Sequence, residues 1–317
     1  MLPGRRRDTG PVASDAFLPG WCDRYLGARP ARVLFCSGHL SQVVGVELAD
    51  GRRVVIKARP ADRRIAGCVA VQRRLARAGF PCPEPLTDPV QARGLTVTAE
   101  ILVPDGSQLP AEGGAAPFAA LLARLVSTAP SPAAVPSLAP SPPWTGWDHP
   151  GSRLWPDHDD RGRDLNSTPG PAWVDDAARR VRDRLGASAA AARVGHGDWE
   201  SQNIRWSAGH PLAVHDWDSV IAQPETAIVG LAAAVWPAAG APGDVATVAQ
   251  SAEFIAAYQE TAGRQWTGQQ VQDAWTAGLW VRLFNAKKDA ADGVGPQLDR
   301  LAAEIGERLA LAGFGNE

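Results

Sequence analysis

Lysine is nearly missing from this chain: among 317 residues it occurs at 57, 287 and 288, and all other basic side chains apart from histidine are arginine. In a sequence that uses arginine by default, a lysine inside an apolar strand asks for an explanation. Charge of one sign is lacking too. A formal net charge of −2 excludes the electrostatic footprint of a nucleic-acid-binding protein. The Arg5-Arg6-Arg7 cluster is short, isolated and followed by Asp8, as in a solvated terminus. No apolar segment follows it, so no secretory signal is expected. The most apolar stretch, AIVGLAAAVWPAAGAP at 227–242, is broken by Pro237 and falls short of a bilayer span; no membrane partner is expected. Cysteines 22, 36, 68 and 82 form no CxxC or metal-finger spacing, which fits reduced thiols in a cytoplasmic protein. There is no G-x-x-x-x-G-K, no G-x-S-x-G and no H-E-x-x-H, so Walker-type NTPases, nucleophile-elbow hydrolases and zincins drop out.

What is present divides the chain in two, with no internal repeat. Residues 1–14 read as a flexible terminus and 15–104 as a small α+β lobe. A short helix near 15–26 precedes strand-like runs at 31–36, 42–49 and 52–58, with Asp50-Gly51 as a hairpin turn. Apolar residues at helical spacing predict a helix over 62–79, ending at Gly79, and GLTVTAEILV at 94–103 is a further strand. Residues 105–317 read as a larger, mainly helical lobe. It contains a Pro-rich surface connection at 130–143 without regular structure, then helices expected over 171–192, 225–236, 246–262, 267–290 and 297–312.

The second lobe carries VGHGDWESQNIRW at 194–206. His196, Asp198 and Asn203 have the spacing H-x-D-x-x-x-x-N, in which the Asp of a kinase catalytic loop receives the hydroxyl proton and the Asn holds a metal ion. Downstream, NIRW and LAVHD flank SAGHP, a turn. A hairpin folded near 209–210 sets Asn203 roughly opposite Asp216. Cross-strand neighbours lie about 5 Å apart, close enough to share one Mg2+. Lys57 lies within the apolar strand VVIKA, where a kinase keeps its phosphate-pairing lysine; taken alone it reads better as a lysine reaching from a sheet edge, and the downstream Asp–Asn–Asp set reverses that reading.

These segments resemble the aminoglycoside phosphotransferase and choline-kinase-like group of small-molecule kinases. The resemblance runs from about 31 to 290 and rests on VVIKA, GFPCPEP after the first-lobe helix, VTAEILVPDG, HGDWESQN and AVHDWDS. Gly197 stands where protein kinases usually carry Arg, and no D-F-G or A-P-E follows. The resemblance implies a two-lobed α+β protein-kinase-like fold and a monomer or dimer. It implies transfer of the γ-phosphoryl of ATP or GTP to a small-molecule hydroxyl, with Asp198 as catalytic base, Asn203 and Asp216 on Mg2+, and Lys57 on the phosphates. Ser37 and Gly38 would cover the phosphates, and the nucleotide would lie against Glu100 and Leu102. The acid that the group carries on the first-lobe helix is missing: its place falls near Cys68. Glu200 is a substrate contact or a solvated loop acid, His196 a hydrogen-bonding loop fixer, and Asp218 a second metal contact or a turn cap. Trp144, Trp147, Trp155 and Asp157, Asp159, Asp160 and Asp164 would suit a cationic substrate, or form a plain surface loop. A non-catalytic nucleotide-binding homologue and a metal-dependent phosphohydrolase using His196, Asp198 and His215-Asp216 are the alternatives.

Overall fold

The computed structural model describes residues 17–38, 41–109, 113–159, 162–241, 243–293 and 295–315. The terminus at 1–14 and Asp160 lie outside these. A five-stranded sheet opens the fold: β1 (Pro30–Gly38), β2 (Gln42–Leu48), β3 (Arg53–Pro60), β4 (Val90–Ala92) and β5 (Leu95–Ile101). Its strand order is β1-β2-β3-β5-β4, and every neighbouring pair is antiparallel. Period-two alternation decides what each face does. Val54, Ile56 and Ala58 of β3 enter a core with Val44, Val46, Val97 and helix α1 (Leu18–Leu26). Val55, Lys57 and Arg59 therefore share the opposite face, towards helix α2 (Arg64–Arg77) and the rest of the molecule.

Cys68, Val71 and Leu75 of α2 join a second, larger core. It is built by α3 (Ala116–Thr128), α4 (Ala172–Gly186), α5 (Glu225–Val235), α6 (Val248–Ala262), α7 (Gly268–Asp292) and α8 (Pro296–Leu311). Thr247 and Thr267 start α6 and α7 with capping boxes closed by Gln250 and Gln270. Two small antiparallel ladders lie among these helices: β6 (Ala192–His196) with β9 (Val220–Pro224), and β7 (Ile204–Ser207) with β8 (His210–Val214). Among the described residues no helix is long and apolar enough to cross a membrane.

Helices α5 and α7 meet with almost no space between their backbones. A Cβ on Gly230 would lie 1.8 Å from the Ala274 carbonyl oxygen, and one on Gly278 would lie 2.7 Å from the Gly230 carbonyl oxygen. Overpacking of this kind costs about 1–3 kcal/mol or more. Gly230→Ala is accordingly expected to lower the urea midpoint by at least that equivalent. An unchanged midpoint would mean that the two helices can separate freely.

Two expectations need correction. The helix expected over 171–192 stops at Gly186, and residues 192–196 are strand β6; its partner β9 lies too far along the chain for local pattern to reveal. The connection at 130–143 does not merely cross the surface. It forms short 3-10 turns at 132–134 and 136–138 and buries Val135 and Leu138. Arg64 Nε of α2 donates to the Leu138 carbonyl at 3.1 Å. Proline excludes the long ladder, but it does not prevent an apolar side chain two residues on from packing inward.

Candidate active site

The loop after β6 is shaped by His196. Its ring is buried, Nε2 donates to the His215 carbonyl at 3.1 Å, and Nδ1 accepts from the Asp198 N–H at 3.2 Å. Both ring nitrogens are thus engaged by backbone, which fixes the neutral tautomer; burial lowers the imidazole pKa in the same sense. Gly197 follows in a tight place. Its N–H donates to the Ser219 carbonyl at 2.7 Å, and a Cβ would meet Ile221, Ser219 and Thr145 at 3.0–3.2 Å. A side chain here would need those neighbours to give by a few tenths of an ångström.

Asn203 closes the loop from the other end. Its Nδ2 donates to Asp198 Oδ2 at 2.9 Å and to the Asp198 carbonyl at 3.1 Å. The amide oxygen is thereby turned away from Asp198, as a hard ligand for a cation. The expected pairing of Asn203 with Asp216 is off by one. The hairpin turns early, with Ser207 opposite His210; a register irregularity between Arg205 and Trp206 recovers one place and sets Ile204 opposite Val214, and the His215 N–H donates to the Asn203 carbonyl at 2.8 Å. Asp216 lies one residue further on. It is held in the left-handed region at φ 60°, where Ser219 Oγ donates to its Oδ2 at 2.8 Å. An aspartate so placed marks local strain maintained by its surroundings.

Asp198, Glu200 and Asp216 line one cavity of 210 Å³, together with Trp144, Asn285 and Lys288. Trp144 is set by its indole N–H, which donates to the Gly197 carbonyl at 3.0 Å. Asn285 and Lys288, both on α7, were not foreseen at this site, although the scarcity of lysine sets Lys288 apart. A larger cavity of 620 Å³ lies elsewhere, along α3 and the end of α6. Two of the arginines that line it are committed, Arg124 to the Gly79 carbonyl and Arg264 to Glu225. The smaller cavity holds the carboxylates and is the candidate site.

Three acids in one cavity repel one another. Asp198 is raised well above the usual carboxylate range, by burial first and then by Glu200 and Asp216. Glu200 is pushed up from 4.5 to about 7, again mainly by burial, with Asp216 adding and the Gln202 amide opposing. Among the described residues no three His, Cys, Asp or Glu side chains already form a metal site. Mg2+ needs only one or two protein oxygens beside phosphate and water, so an Asn203 oxygen and an Asp216 carboxylate amid surplus negative charge fit that ion. The Glu200 shift has a sign. A carboxyl whose folded pKa is raised contributes most below its unfolded value, and that contribution is lost as pH rises from 4.5 to about 7. Without divalent cation, Glu200→Gln is therefore expected to exceed wild type in stability by up to about 3 kcal/mol above that window, with the margin closing below it. Denaturant melts across the window would contradict this if the two proteins stayed parallel.

The first lobe adds Lys57, half-buried with its Nζ 2.9 Å from Glu100 Oε1. Glu100, expected beside the nucleotide, is thus the partner of Lys57. Arg59, on the same strand face two residues on, was missed, although strand alternation could have flagged it. Its Nη1 lies 2.6 Å from Asp218 Oδ1, and Arg64 Nη1 donates to the Asp218 carbonyl at 3.3 Å. Asp218 is thus ion-paired across to β3. The Leu102 N–H is also engaged, donating to the Arg53 carbonyl at 2.9 Å. Ser37 and Gly38 are exposed at the end of β1, where Gly38 lies opposite Gln42 of β2. The Trp-rich acidic loop is largely structural. Trp147 and Trp155 are buried in the larger core; Asp157 and Asp164 pair with Arg153, and Asp159 with Arg163. Trp144 alone of the three tryptophans reaches the cavity.

Comparison with known proteins bears on family and fold. A family model described as the phosphotransferase enzyme family matches residues 33–267. No curated protein matches in sequence. Among solved structures, the aminoglycoside phosphotransferase APH(4)-Ia is 16% identical with a TM-score of 0.58, over 94% of this chain and 98% of that one. An amicoumacin kinase in complex with AMP-PNP and Ca2+ is 12% identical with a TM-score of 0.57, over 90% and 89%. The spectinomycin phosphotransferase APH(9)-Ia, in complex with ADP and spectinomycin, is 11% identical with a TM-score of 0.55, over 93% and 92%. At such identities the likeness is one of fold, and that fold is protein-kinase-like.

Proposed function

The chain belongs to the phosphotransferase enzyme family as a small-molecule kinase, and we propose that it moves the γ-phosphoryl of ATP or GTP to a hydroxyl of a small molecule. The observation that carries this reading is the joining of Asp198, Glu200 and Asp216 in one cavity, with Asn203 bonded to Asp198. The complexes of similar structures with AMP-PNP and ADP favour ATP over GTP. Lobes at 15–104 and 105–317, with the nucleotide between them, complete the proposal; a cytoplasmic setting accords with four unpaired cysteines.

In this reading the acceptor enters the 210 Å³ cavity and presents a hydroxyl to Asp198, which orients it and takes its proton. Asn203 holds Asp198 in one rotamer through the 2.9 Å bond. Lys57 steadies the nucleotide phosphates from β3. Asn203 and Asp216 would hold Mg2+, which when bound neutralises charge on the phosphates. Little covalent work falls to the protein, so positioning and electrostatics supply most of the rate. The missing helix acid, which favoured a non-catalytic homologue, is offset by the pairing of Lys57 with Glu100. The phosphohydrolase alternative loses support because backbone groups occupy both ring nitrogens of His196.

The test is release of ADP from MgATP against panels of aminoglycosides, amino alcohols and sugars. Stimulation by at least one class, with a phosphate ester as product, is the expected outcome. Nucleotide binding without transfer to any acceptor or to water would return the non-catalytic reading.

A further inference from the structure

We propose that Glu100 is the positioning residue for Lys57, so that the acid which kinases place on a mobile helix is supplied here by the neighbouring strand. The inference rests on reading Lys57 as the phosphate contact. In protein kinases the strand lysine is aligned by a glutamate on the helix, and helix position controls activity through that ion pair. Helix α2 has no acid to offer: its sequence is RIAGCVAVQRRLAR.

The sheet provides the substitute. In the antiparallel pair of β3 and β5, Val55 lies opposite Glu100 and Lys57 opposite Thr98. Lys57 and Glu100 are therefore diagonal neighbours on one face, a separation that long side chains bridge. They meet at 2.9 Å, and both are largely buried, with side-chain exposures of 13% and 8%. The second carboxylate oxygen is held as well. Gln72 Nε2 of α2 donates to Glu100 Oε2 at 2.9 Å and to the Pro83 carbonyl at 2.8 Å. Helix α2 thus touches Lys57 through a neutral amide and an intervening carboxylate, not through its own charge. Because lysine and acid belong to adjacent strands of one ladder, the pair forms whenever the sheet forms. Its alignment then needs no swing of α2.

Four full-length variants test this: Lys57→Met, Glu100→Gln, the two combined, and the exchange Gln72→Glu with Glu100→Gln. The exchange keeps one carboxylate and one amide at the same two places. The readouts are MgATP affinity by calorimetry and the split of ADP release into kcat and KM for ATP. Glu100→Gln is expected to reduce kcat/KM about 10–100-fold, to add nothing further in the Lys57→Met background, and to be largely rescued by the exchange. If Lys57→Met is crippled while Glu100→Gln keeps kcat/KM within about twofold, the positioning role is overturned and the kinase reading stands. If wild type fails to bind MgATP, or Lys57→Met turns over normally, the reading beneath fails and the proposal falls with it. Should Glu100→Gln not fold, the exchange variant decides: folded and active supports the proposal, folded and inactive overturns it.

Discussion

Asp198→Ala is expected to lower turnover by about 10²–10⁴-fold, equivalent to roughly 3–5 kcal/mol of transition-state stabilisation, while MgATP affinity stays within a few-fold. The two effects separate because Asp198 faces the acceptor cavity, whereas Lys57, Asn203 and Asp216 address the phosphates in the proposed mechanism. The loop should survive the change. Asn203 loses its bond to Oδ2 but keeps the one to the Asp198 carbonyl at 3.1 Å, and the Asp198 N–H remains on His196. Stability is expected to hold or rise, since burial and two neighbouring acids disfavour the ionised carboxylate. Steady-state ADP release beside a thermal melt checks all of this. Near-normal turnover by a well-folded variant would remove Asp198 from the role of base.

The second large effect belongs to Asp216. Second-sphere partners of metal ligands are worth about 10–100-fold, so loss of a ligand itself should raise the Mg2+ concentration for half-maximal ADP release about 100-fold or more. Alanine is a blunt probe here, because the residue sits at φ 60°, where asparagine and aspartate are tolerated better than alanine. Asp216→Asn keeps that backbone preference and still offers an oxygen to the Ser219 hydroxyl, which now lies 2.8 Å from Oδ2. Both variants are expected to lose metal response, with Asp216→Asn the more stable. If Asp216→Asn kept a normal Mg2+ titration, the carboxylate would not be a metal ligand.

The parts that could be read from sequence were those written in local pattern. Asp50-Gly51, the alternation in RRVVIKA and the helical spacing after it were sufficient to place Lys57 on a strand before a helix. The H-x-D-x-x-x-x-N spacing singled out Asp198 and Asn203, which the structure bonds at 2.9 Å. What escaped depended on long-range geometry. The hairpin turns one residue earlier than expected, with Ser207 opposite His210, and the irregularity between Arg205 and Trp206 makes up only part of that offset, leaving Asn203 level with His215. The partner of Lys57 was sought on the helix, while the ladder supplied it from β5. Asp218 looked available because Arg59 comes from 159 residues earlier in the chain. Acidic residues of the Trp-rich loop suggested a cation trap, yet arginines of the same segment neutralise several of them. Charge composition gives the number of such groups, not which ones are already paired.

The central claim is that Asp198, Asn203, Asp216 and Lys57 form a working nucleotide site, and calorimetric titration of the wild-type chain tests it before any acceptor is known. ATP and GTP would each be titrated with and without Mg2+. The account predicts saturable, Mg2+-dependent binding of ATP at one site per chain. No binding of either nucleotide in the presence of Mg2+ would contradict it.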